Sequence, residues 1–436
     1  MKQSEFKKRR TALMKQIGKG NIGLIASAPQ RTRNRDVHYP FRQDSDFFYL
    51  TGFNEAESLA VFIPGRKQGE YVLFCKEFDE KKALWEGAHA GLEGATKHYE
   101  ADDSFPIADV DDILPGMLEN KSKVFYPMGK DNELDHKLLE WINHIRKQSR
   151  TGVSAPGELA SLEHIIHEMR LFKSTEELNL IRRAVRVSAK AHIRAMQHCK
   201  PGLYEYQIEA EILHEFTQDG LRAVAYPSIV AGGQNACVLH YTENKDKLNK
   251  GDLLLIDAGV ECDHYAADIT RTFPVSGKFS DAQKQLYQLV LDAQAAALAE
   301  IRPGVAWNKA HEASVQVLTQ GMVKLGLLKG RVNKLIKEEK YKQFYMHRIG
   351  HWLGMDVHDV GDYKIRDEWR LLEPGMVLTV EPGLYVPANC ESVDQQWRGI
   401  GIRIEDDVLV TKQGHEVLTH MAPKAIADIE ALMRGK

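Results

Sequence analysis

Two aspartates lie inside stretches whose other residues are typical of buried β-strands. Asp257 is in LLLIDAGV and Asp268 is in YAADITRTF, although aspartate is depleted from strands. If the two stretches form a hairpin with a two-residue turn at Cys262-Asp263, the two aspartates pair, with Cβ atoms roughly 4.5–5.5 Å apart. Like charges at that distance need a shared proton or a cation. The pattern indicates an acid pair or a metal site; the alternative is that one aspartate is a turn or cap residue at a sheet edge.

The segment that contains these aspartates has a counterpart later in the chain. Ser174-Thr-Glu-Glu177 and Ser280-Asp-Ala-Gln283 are both capping-box patterns that begin long helices. Each helix is predicted to end at a Pro-Gly pair and to be followed by a second helix. Asp257 and Glu381 then occupy the matching position of KGDLLLID and PGMVLTVE. We therefore predict an internally duplicated α+β domain in which helices cover a curved, mostly antiparallel sheet.

The second half of the duplication contains a further acid of its own. Residues 399–411, GIGIRIEDDVLVT, are predicted to form a strand that carries Glu405. A pseudo-twofold arrangement would bring Glu405 and Glu381 to the two aspartates, where four buried carboxylates would need cations. Taken alone, Glu405 followed by Asp406 and Asp407 is more typical of a solvated strand end.

Three histidines lie close together in HRIGHWLGMDVHDVG, at positions 347, 351 and 358. Their spacing would align them on one face of a helix, whereas the glycines between them favour a loop or strand. A lone histidine here would most simply be structural. Because His347, His351 and His358 accompany four candidate acids, they favour a functional site.

Composition and chain length limit the fold and the function classes. The first 150 residues or so alternate strand-like and helix-like runs, which predicts an α/β domain, and we place the domains at 1–172 and 173–436.

The net charge is −3, so no basic field indicates nucleic acid or an anionic membrane, and no apolar run approaches the roughly 20 residues of a membrane span. Five scattered cysteines favour reduced thiols and a cytoplasmic location.

The histidine stretch resembles the signature of the Xaa-Pro peptidases, a group within the pita-bread metallopeptidases. IDAG, ADITRTFPV, EPGMVLTVEPGLY and GIRIEDD follow in the order of that family. FRQDSDFFYLTGFNEAESLAVFIPG is similar to the N-terminal segment of aminopeptidase P, which methionine aminopeptidase lacks. The resemblance covers nearly the whole chain. It implies an α/β N-terminal domain followed by an α+β catalytic domain with the pita-bread fold.

The resemblance also implies which residues form the site. The five metal ligands would be Asp257, Asp268, His351, Glu381 and Glu405, with Asp268 and Glu405 bridging two ions. The residues that contact the substrate would be His240 and His358 beside the reacting carbonyl, His347 and Arg403 on the proline side, and Trp85, which resembles a tryptophan that reaches the site of a neighbouring subunit.

Peptide hydrolysis needs a nucleophile and a group that stabilises an oxyanion. Two cations roughly 3.5–4 Å apart would share one hydroxide and lower its pKa. Four carboxylates and one imidazole favour Mn(II), with Co(II), Fe(II) and Zn(II) as alternatives. We expect the bridging hydroxide to attack the carbonyl before proline while Glu381 handles its proton, and His358 and His240 to stabilise the tetrahedral oxygen.

Two rival functions remain open from the sequence. Prolidase takes only Xaa-Pro dipeptides and shares the ligands, although the N-terminal segment favours aminopeptidase P. A metal-free pita-bread module that binds peptides or histones would have lost one or more ligands, and this chain retains all five. We expect peptide substrates with a penultimate proline, no nucleic-acid or membrane partner, and a homo-oligomer, either a dimer or a tetramer.

Overall fold

The structure is a computed structural model that describes residues 1–435. The chain divides into two compact units, Met1–Arg170 and a second unit that begins at Leu171. Among residues 1–435, no helix combines the length and the apolar composition that a bilayer crossing requires.

The first unit has the α/β architecture expected from the sequence. Its strands are β1 (Ile22–Ala26), β2 (Thr32–Asn34), β3 (Val37–His38), β4 (Leu59–Phe62), β5 (Tyr71–Cys75), β6 (Asp103–Pro106), β7 (Lys123–Tyr126) and β8 (Glu158–Ser161). Its helices are α1 (Gln3–Ile17), α2 (Ser45–Thr51), α3 (Glu80–Glu86), α4 (Gly91–Tyr99), α5 (Val110–Leu118), α6 (Asn132–Lys147) and α7 (Glu163–Leu171). Six strands form one mixed sheet in the order β6-β5-β4-β1-β7-β8. Its apolar core includes Leu24, Val61, Phe74 and Leu138.

The second unit is built from antiparallel strand pairs and helices. Its strands are β9 (Ile229–Gly232), β10 (Leu253–Asp257), β11 (Glu261–Cys262), β12 (Tyr265–Ala266), β13 (Thr270–Pro274), β14 (Lys364–Ile365), β15 (Glu368–Trp369), β16 (Val377–Val380), β17 (Gly383–Val386), β18 (Ile400–Arg403), β19 (Asp406–Thr411) and β20 (Gly414–Val417). Its helices are α8 (Thr175–His198), α9 (Glu205–Gln218), α10 (Asp281–Ala299), α11 (Asn308–Lys324), α12 (Val332–Lys337) and α13 (Ile426–Arg434). The principal ladders are β13-β10-β9, β16-β19-β20 and β17-β18, and all of them are antiparallel.

The predicted duplication is present in the helices and in the strands. α8 packs on α9, and α10 packs on α11. Both capping boxes form: Ser174 Oγ accepts from the backbone of Glu177, and Ser280 Oγ accepts from the backbone of Gln283, with each N3 side chain bonding back to its cap. α8 and α9 contact β9, β11 and β12, and α10 contacts β16, β17 and β18, so each half places its helices against its own antiparallel strands.

The hairpin that carries Asp257 and Asp268 has a different register from the predicted one. The turn is at Asp263-His264, where φ is 47° and 69°, and a two-residue turn of type I′ requires positive φ at both positions. The ladder of β10 and β13 pairs Asp257 with Thr270. The prediction of a turn at Cys262-Asp263 is therefore wrong by one residue. Asp268 instead lies in the irregular segment between β12 and β13.

The stretch at 399–411 also differs from the prediction of one continuous strand. β18 pairs with β17 and β19 pairs with β16, so the chain changes partner at Ile404 and Glu405. Asp406 and Asp407 are both fully buried, which excludes a solvated strand end. Arg271 and Lys424 form ion pairs with Asp406, and these charges offset the cost of burying its carboxylate.

The histidine stretch is extended and irregular rather than helical. Three backbone hydrogen bonds of 2.7–3.0 Å connect residues 349–353 with residues 377–381. A Cβ atom on Gly350 would lie 2.0 Å from the carbonyl oxygen of Thr379, so only glycine allows this close approach. The contact places His351 beside the end of β16.

Candidate active site

A cavity of about 670 Å³ in the second unit contains nearly all the predicted site residues. The predicted residues that line it are Asp257, Asp268, His351, Glu381, Glu405, His240, His347, His358 and Arg403. Trp85 lies on α3 of the first unit with 89% of its surface exposed, and it is not among the residues that line this cavity in the described chain.

Each acid lies where a strand ends or is interrupted. Asp257 is the last residue of β10, and Glu381 directly follows β16. Asp268 lies between β12 and β13, and Glu405 lies between β18 and β19. Strand ends direct their side chains into the cavity while the ladders fix their backbones, so the fold determines the positions of the four carboxylates.

Tyr226 links the two aspartates, although sequence reasoning did not select it. Its hydroxyl oxygen lies 2.6 Å from Oδ1 of Asp257 and 2.5 Å from Oδ1 of Asp268. A hydroxyl has one proton and can donate to only one carboxylate. The second carboxylate therefore needs a proton of its own or a nearby cation.

His351 connects the aspartate pair with the glutamates. Its Nε2 lies 3.4 Å from Oδ2 of Asp268 and 3.7 Å from Oε1 of Glu381. Its Nδ1 lies 3.0 Å from the carbonyl oxygen of Trp352, so in the neutral ring Nδ1 carries the hydrogen and Nε2 is left as a ligand. Asp268, His351 and Glu405 each offer a donor atom, and these atoms all lie within 4.8 Å of one another.

The carboxylates disfavour one another's charged forms. Burial, together with the neighbouring carboxylates, raises the pKa of Glu405 well above its usual value. Burial raises the pKa of Glu381 to about 7, against the lowering effect of His351 and Arg403. Burial would lower the pKa of His351, but its hydrogen bond with Asp268 and the charge of Glu381 raise it to about 9. Without metal, this site therefore holds protons where a cation would otherwise bind.

Arg403 supplies positive charge on one side of the acids. Its Nη2 donates to Oδ2 of Asp257 over 2.7 Å, and its Nη1 donates to the hydroxyl of Tyr385 over 3.1 Å. The same hydroxyl lies 2.8 Å from Nε2 of His347. Burial and the charge of Arg403 lower the pKa of His347 to about 3, so this imidazole is neutral at pH 7.

His240 and His358 are more exposed than the acids and lie on the cavity wall. The ring of His358 packs edge-on against His351, with centroids 4.4 Å apart. Neither histidine is among the three donors that form the tight group described above. His240 and His358 therefore lie on the cavity wall, outside that tight group.

Sequence reasoning missed further residues that hold the acids in place. Thr270 Oγ1 donates to Glu405 over 2.7 Å, and Asp407 Oδ2 accepts from the backbone nitrogen of Asp268 over 3.1 Å. Thr270 is two residues after Asp268 in YAADITRTF, and Asp407 is two residues after Glu405. The sequence shows these polar residues inside apolar strands, but their contacts with the acids can be recognised only once the strand partners are known.

The donor set fits divalent cations. Asp257, Asp268, Glu381 and Glu405 supply oxygen atoms and His351 supplies a nitrogen, which is the chemistry that Mn(II)-like ions accept. A bound cation would supply the positive charge that the carboxylates beside Tyr226 and the buried Glu405 need. The chemistry of these donor atoms therefore fits a divalent cation.

A profile of metallopeptidase family M24 matches residues 179–412, and the N-terminal domain of aminopeptidase P matches residues 6–126. The chain belongs to metallopeptidase family M24. The Xaa-Pro aminopeptidase of Escherichia coli K12 is 45% identical over 430 residues, which cover 98% of this chain and 97% of that protein.

Solved structures agree with this membership of family M24. The aminopeptidase PepP of Pseudomonas aeruginosa has a TM-score of 0.99 at 55% identity, covering 100% of this chain and 98% of its own. Zinc-substituted aminopeptidase P of E. coli in complex with product has a TM-score of 0.97 at 44% identity, covering 100% and 99%. The predicted pita-bread fold and the predicted N-terminal domain type are confirmed.

Proposed function

We propose that this M24 member is an Xaa-Pro aminopeptidase, a metal-dependent exopeptidase that releases the first residue from peptides with proline in second position. The observation that carries the proposal is the convergence of Asp257, Asp268, His351, Glu381 and Glu405 in one cavity. Full-length similarity to Xaa-Pro aminopeptidases adds the substrate class.

The five converging residues would hold two divalent ions, with Asp268 and Glu405 between them. Bound ions of this kind supply an activated water and polarise a carbonyl. We propose Mn(II) as the preferred ion because four of the five donors are carboxylates. Co(II), Fe(II) and Zn(II) remain alternatives, and a zinc-substituted relative supports the last of them.

The remaining residues of the cavity would bind and orient the peptide. Glu381 would accept the proton of the attacking water, since its carboxylate borders the cavity in which the peptide would lie. His240 and His358 stabilise the developing oxyanion and help the proline nitrogen to leave. Both side chains are accessible on the cavity wall, as a contact with a bound peptide requires.

The proline ring would lie beside His347 and Arg403. His347 is neutral because its pKa is lowered to about 3 by burial and by Arg403, so its ring offers an uncharged surface. Ile229, Leu239 and Val357 add apolar lining to the same cavity. A tertiary amide has no N–H to donate, and an apolar wall therefore costs it less than it costs an ordinary peptide bond.

Three peptides test the proposal: an Xaa-Pro-Yaa tripeptide, the matching Xaa-Pro dipeptide and an Xaa-Ala-Yaa tripeptide. With Mn(II) present, we expect release of the free first residue from the Xaa-Pro-Yaa peptide, with much slower cleavage of the other two. Preference for the dipeptide would instead support prolidase, and equal cleavage of the alanine peptide would contradict proline selectivity.

The proposal also includes the assembly of the protein, its location and its domain limits. We propose a homo-oligomer, because Trp85 and Leu84 expose 89% and 86% of their surfaces on neighbouring positions of α3. We propose a cytoplasmic location, which the five free cysteines support. We retain domain limits of 1–172 and 173–436, close to the division into compact units at Arg170.

A further inference from the structure

The segment that carries His240 has little regular structure of its own. After β9 the chain forms a short 3-10 helix, Gly233–Cys237, and then has no further strand until β10 begins at Leu253. We call residues 233–245 the His240 loop. Leu239, His240 and Thr242 of this loop line the active-site cavity. Something outside the loop must therefore hold it in place.

The carboxylate of Glu205 binds two residues of this loop and the two residues that flank it. Oε1 accepts from the backbone nitrogen of Gly232 over 2.7 Å and from Nδ2 of Asn235 over 3.0 Å. Oε2 accepts from the hydroxyl of Tyr241 and from the backbone nitrogen of Asp246, each over 2.8 Å. Four hydrogen bonds from one segment therefore end on a single side chain.

Glu205 is itself rigidly held. It is fully buried and is the first residue of α9, where the helix dipole favours a negative charge. Its backbone nitrogen donates to the carbonyl of Asp246 over 3.0 Å. A buried carboxylate with four donors is satisfied without a metal or a cationic partner, so its charge serves to organise the surrounding backbone.

We propose that Glu205 is a positioning residue for the substrate: its carboxylate closes the His240 loop and fixes His240 at the cavity wall. The link is short, because Tyr241 is bonded to Glu205 and is the next residue after His240. The inference rests on the proposed function, since it takes His240 to contact the reacting peptide. Glu205 itself touches neither the cavity nor the acids that would hold metal.

Tyr241→Phe provides the most specific test because it removes one hydroxyl and leaves Glu205 charged. We expect kcat/KM for the Xaa-Pro-Yaa peptide to fall on the order of tenfold, since small misplacements of a catalytic contact are costly. Affinity for Mn(II), measured by calorimetry, and the melting temperature should stay at wild-type values. Glu205→Gln, which loses an acceptor for Tyr241, should lower kcat/KM further in the same direction.

Tyr287→Phe is the matched control. Tyr287 is buried and its hydroxyl donates to the carbonyl of Lys424 over 2.7 Å, so the same atom is removed away from the His240 loop. We expect kcat/KM of this variant to equal that of the wild type. An equal loss in both variants would assign the effect to general loosening and would overturn the proposal.

A double-mutant comparison separates positioning from general structure. If Glu205 acts through His240, Tyr241→Phe should change kcat/KM by less than about twofold when His240→Ala is already present. A full tenfold loss on that background, or wild-type kcat/KM in Tyr241→Phe alone, would overturn the role of Glu205. Failure of the wild-type protein to cleave Xaa-Pro-Yaa with metal would instead overturn the proposed function, so the two failures are distinguishable.

Discussion

At the scale of single residues, the chemistry of the site follows from buried negative charge. Asp257 and Asp268 share the hydroxyl of Tyr226, and Glu405 accepts from Thr270. Arg403 offsets part of this charge through Asp257. Burial still raises the pKa values of Asp257, Glu381 and Glu405. The pKa of Asp268 is lowered instead, because its hydrogen bond with His351 and the nearby positive charges together outweigh the effect of burial. Such an arrangement is unfavourable unless protons or cations neutralise it. Bound cations would neutralise this charge, which is why we propose them for the site.

Asp268→Asn tests this conclusion. The amide keeps nearly the same shape but loses the charge between the two proposed ions, so we expect Mn(II) affinity to fall by about a hundredfold or more, beyond the loss typical of outer-shell changes. Activity should fall with it. Calorimetric titration of the metal-free protein measures the affinity directly. Asp263→Asn, on the turn of the same hairpin, is the matched control and should bind metal normally. Unchanged turnover with full metal content in Asp268→Asn would rule out the bridging role.

Several site residues could be recognised from the sequence and several could not. The acids stand out because they interrupt apolar strands, and the three histidines because they lie close together. The choice of His351 among those histidines came from the family resemblance. Tyr226 does not stand out, since a tyrosine before a proline carries no sign of the carboxylates that it joins across the fold. Only tertiary contacts, such as its 2.6 Å approach to Asp257, give it a role.

At the scale of elements, strand ends and turns decide where the acids lie. The hairpin turn at Asp263-His264 rather than one residue earlier shifts the pairing of β10 by two positions. The type I′ turn needs positive φ at both residues, and sequence alone did not show that Asp-His would adopt it. The change of partner between β18 and β19 was likewise invisible, because GIGIRIEDDVLVT has the composition of one long strand.

Gly350→Ala tests how the histidine stretch is held against β16. The added methyl group would meet the carbonyl oxygen of Thr379, so residues 349–353 would have to move away and carry His351 with them. We expect a loss of about 1–3 kcal/mol of stability, as for other overpacked sites, and weaker Mn(II) binding. Thermal unfolding and calorimetry measure the two effects.

Gly116→Ala is the control for this change. A Cβ atom on Gly116 would meet nothing within 4 Å, and alanine favours the helix in which Gly116 lies. Stability should therefore be unchanged or slightly higher. If Gly350→Ala behaved like Gly116→Ala in both measurements, the close packing of the histidine stretch on β16 would not be what positions His351.

In the first unit, a buried ion pair joins α2 to α7. Asp46 accepts from Arg170 over 2.7 Å, and both side chains are 2% exposed. Burial would raise the pKa of Asp46, but His167, Arg170 and Lys130 lower it below the ordinary value. Because the folded pKa is the lower one, the stability contributed is complete above the ordinary aspartate pKa and is lost as the pH falls below it.

Asp46→Asn should therefore destabilise the α2–α7 region by about 3 kcal/mol near neutral pH. Hydrogen exchange of the α2 and α7 amides measures the loss, and the difference from wild type should shrink as the pH falls below 4. Asp112→Asn, an exposed aspartate of the same unit, should exchange like the wild type. A difference between wild type and Asp46→Asn that persisted unchanged in acid would contradict the proposed role of the charge.

At the scale of the whole molecule, the candidate site belongs to the second unit. The first unit has a sheet and core of its own, whereas the second contains the cavity and its acids. The division into two units and the order of their motifs could be predicted, since strand and helix patterns change between the halves. The homo-oligomer stays a prediction, because self-association depends on the shape of surfaces that the sequence does not describe.

The exposed surface of α3 gives a test of self-association. Leu84→Ser with Trp85→Ser removes two apolar side chains that are more than four-fifths exposed, and such surfaces often form interfaces. We expect light scattering to report a homo-oligomer for the wild type and a smaller species for the variant, with an unchanged circular dichroism spectrum. Identical masses for both proteins would show that α3 is not the interface.

The central claim is that the four acids and His351 form a two-metal site for peptide hydrolysis. The most direct measurement is a titration of chelator-stripped protein with Mn(II) that follows metal binding and hydrolysis of an Xaa-Pro-Yaa peptide in the same samples. The account predicts that release of the first residue rises with occupancy and reaches its plateau when two ions are bound. Full hydrolysis by the stripped protein, or no hydrolysis at full occupancy by any divalent ion tested, would contradict it.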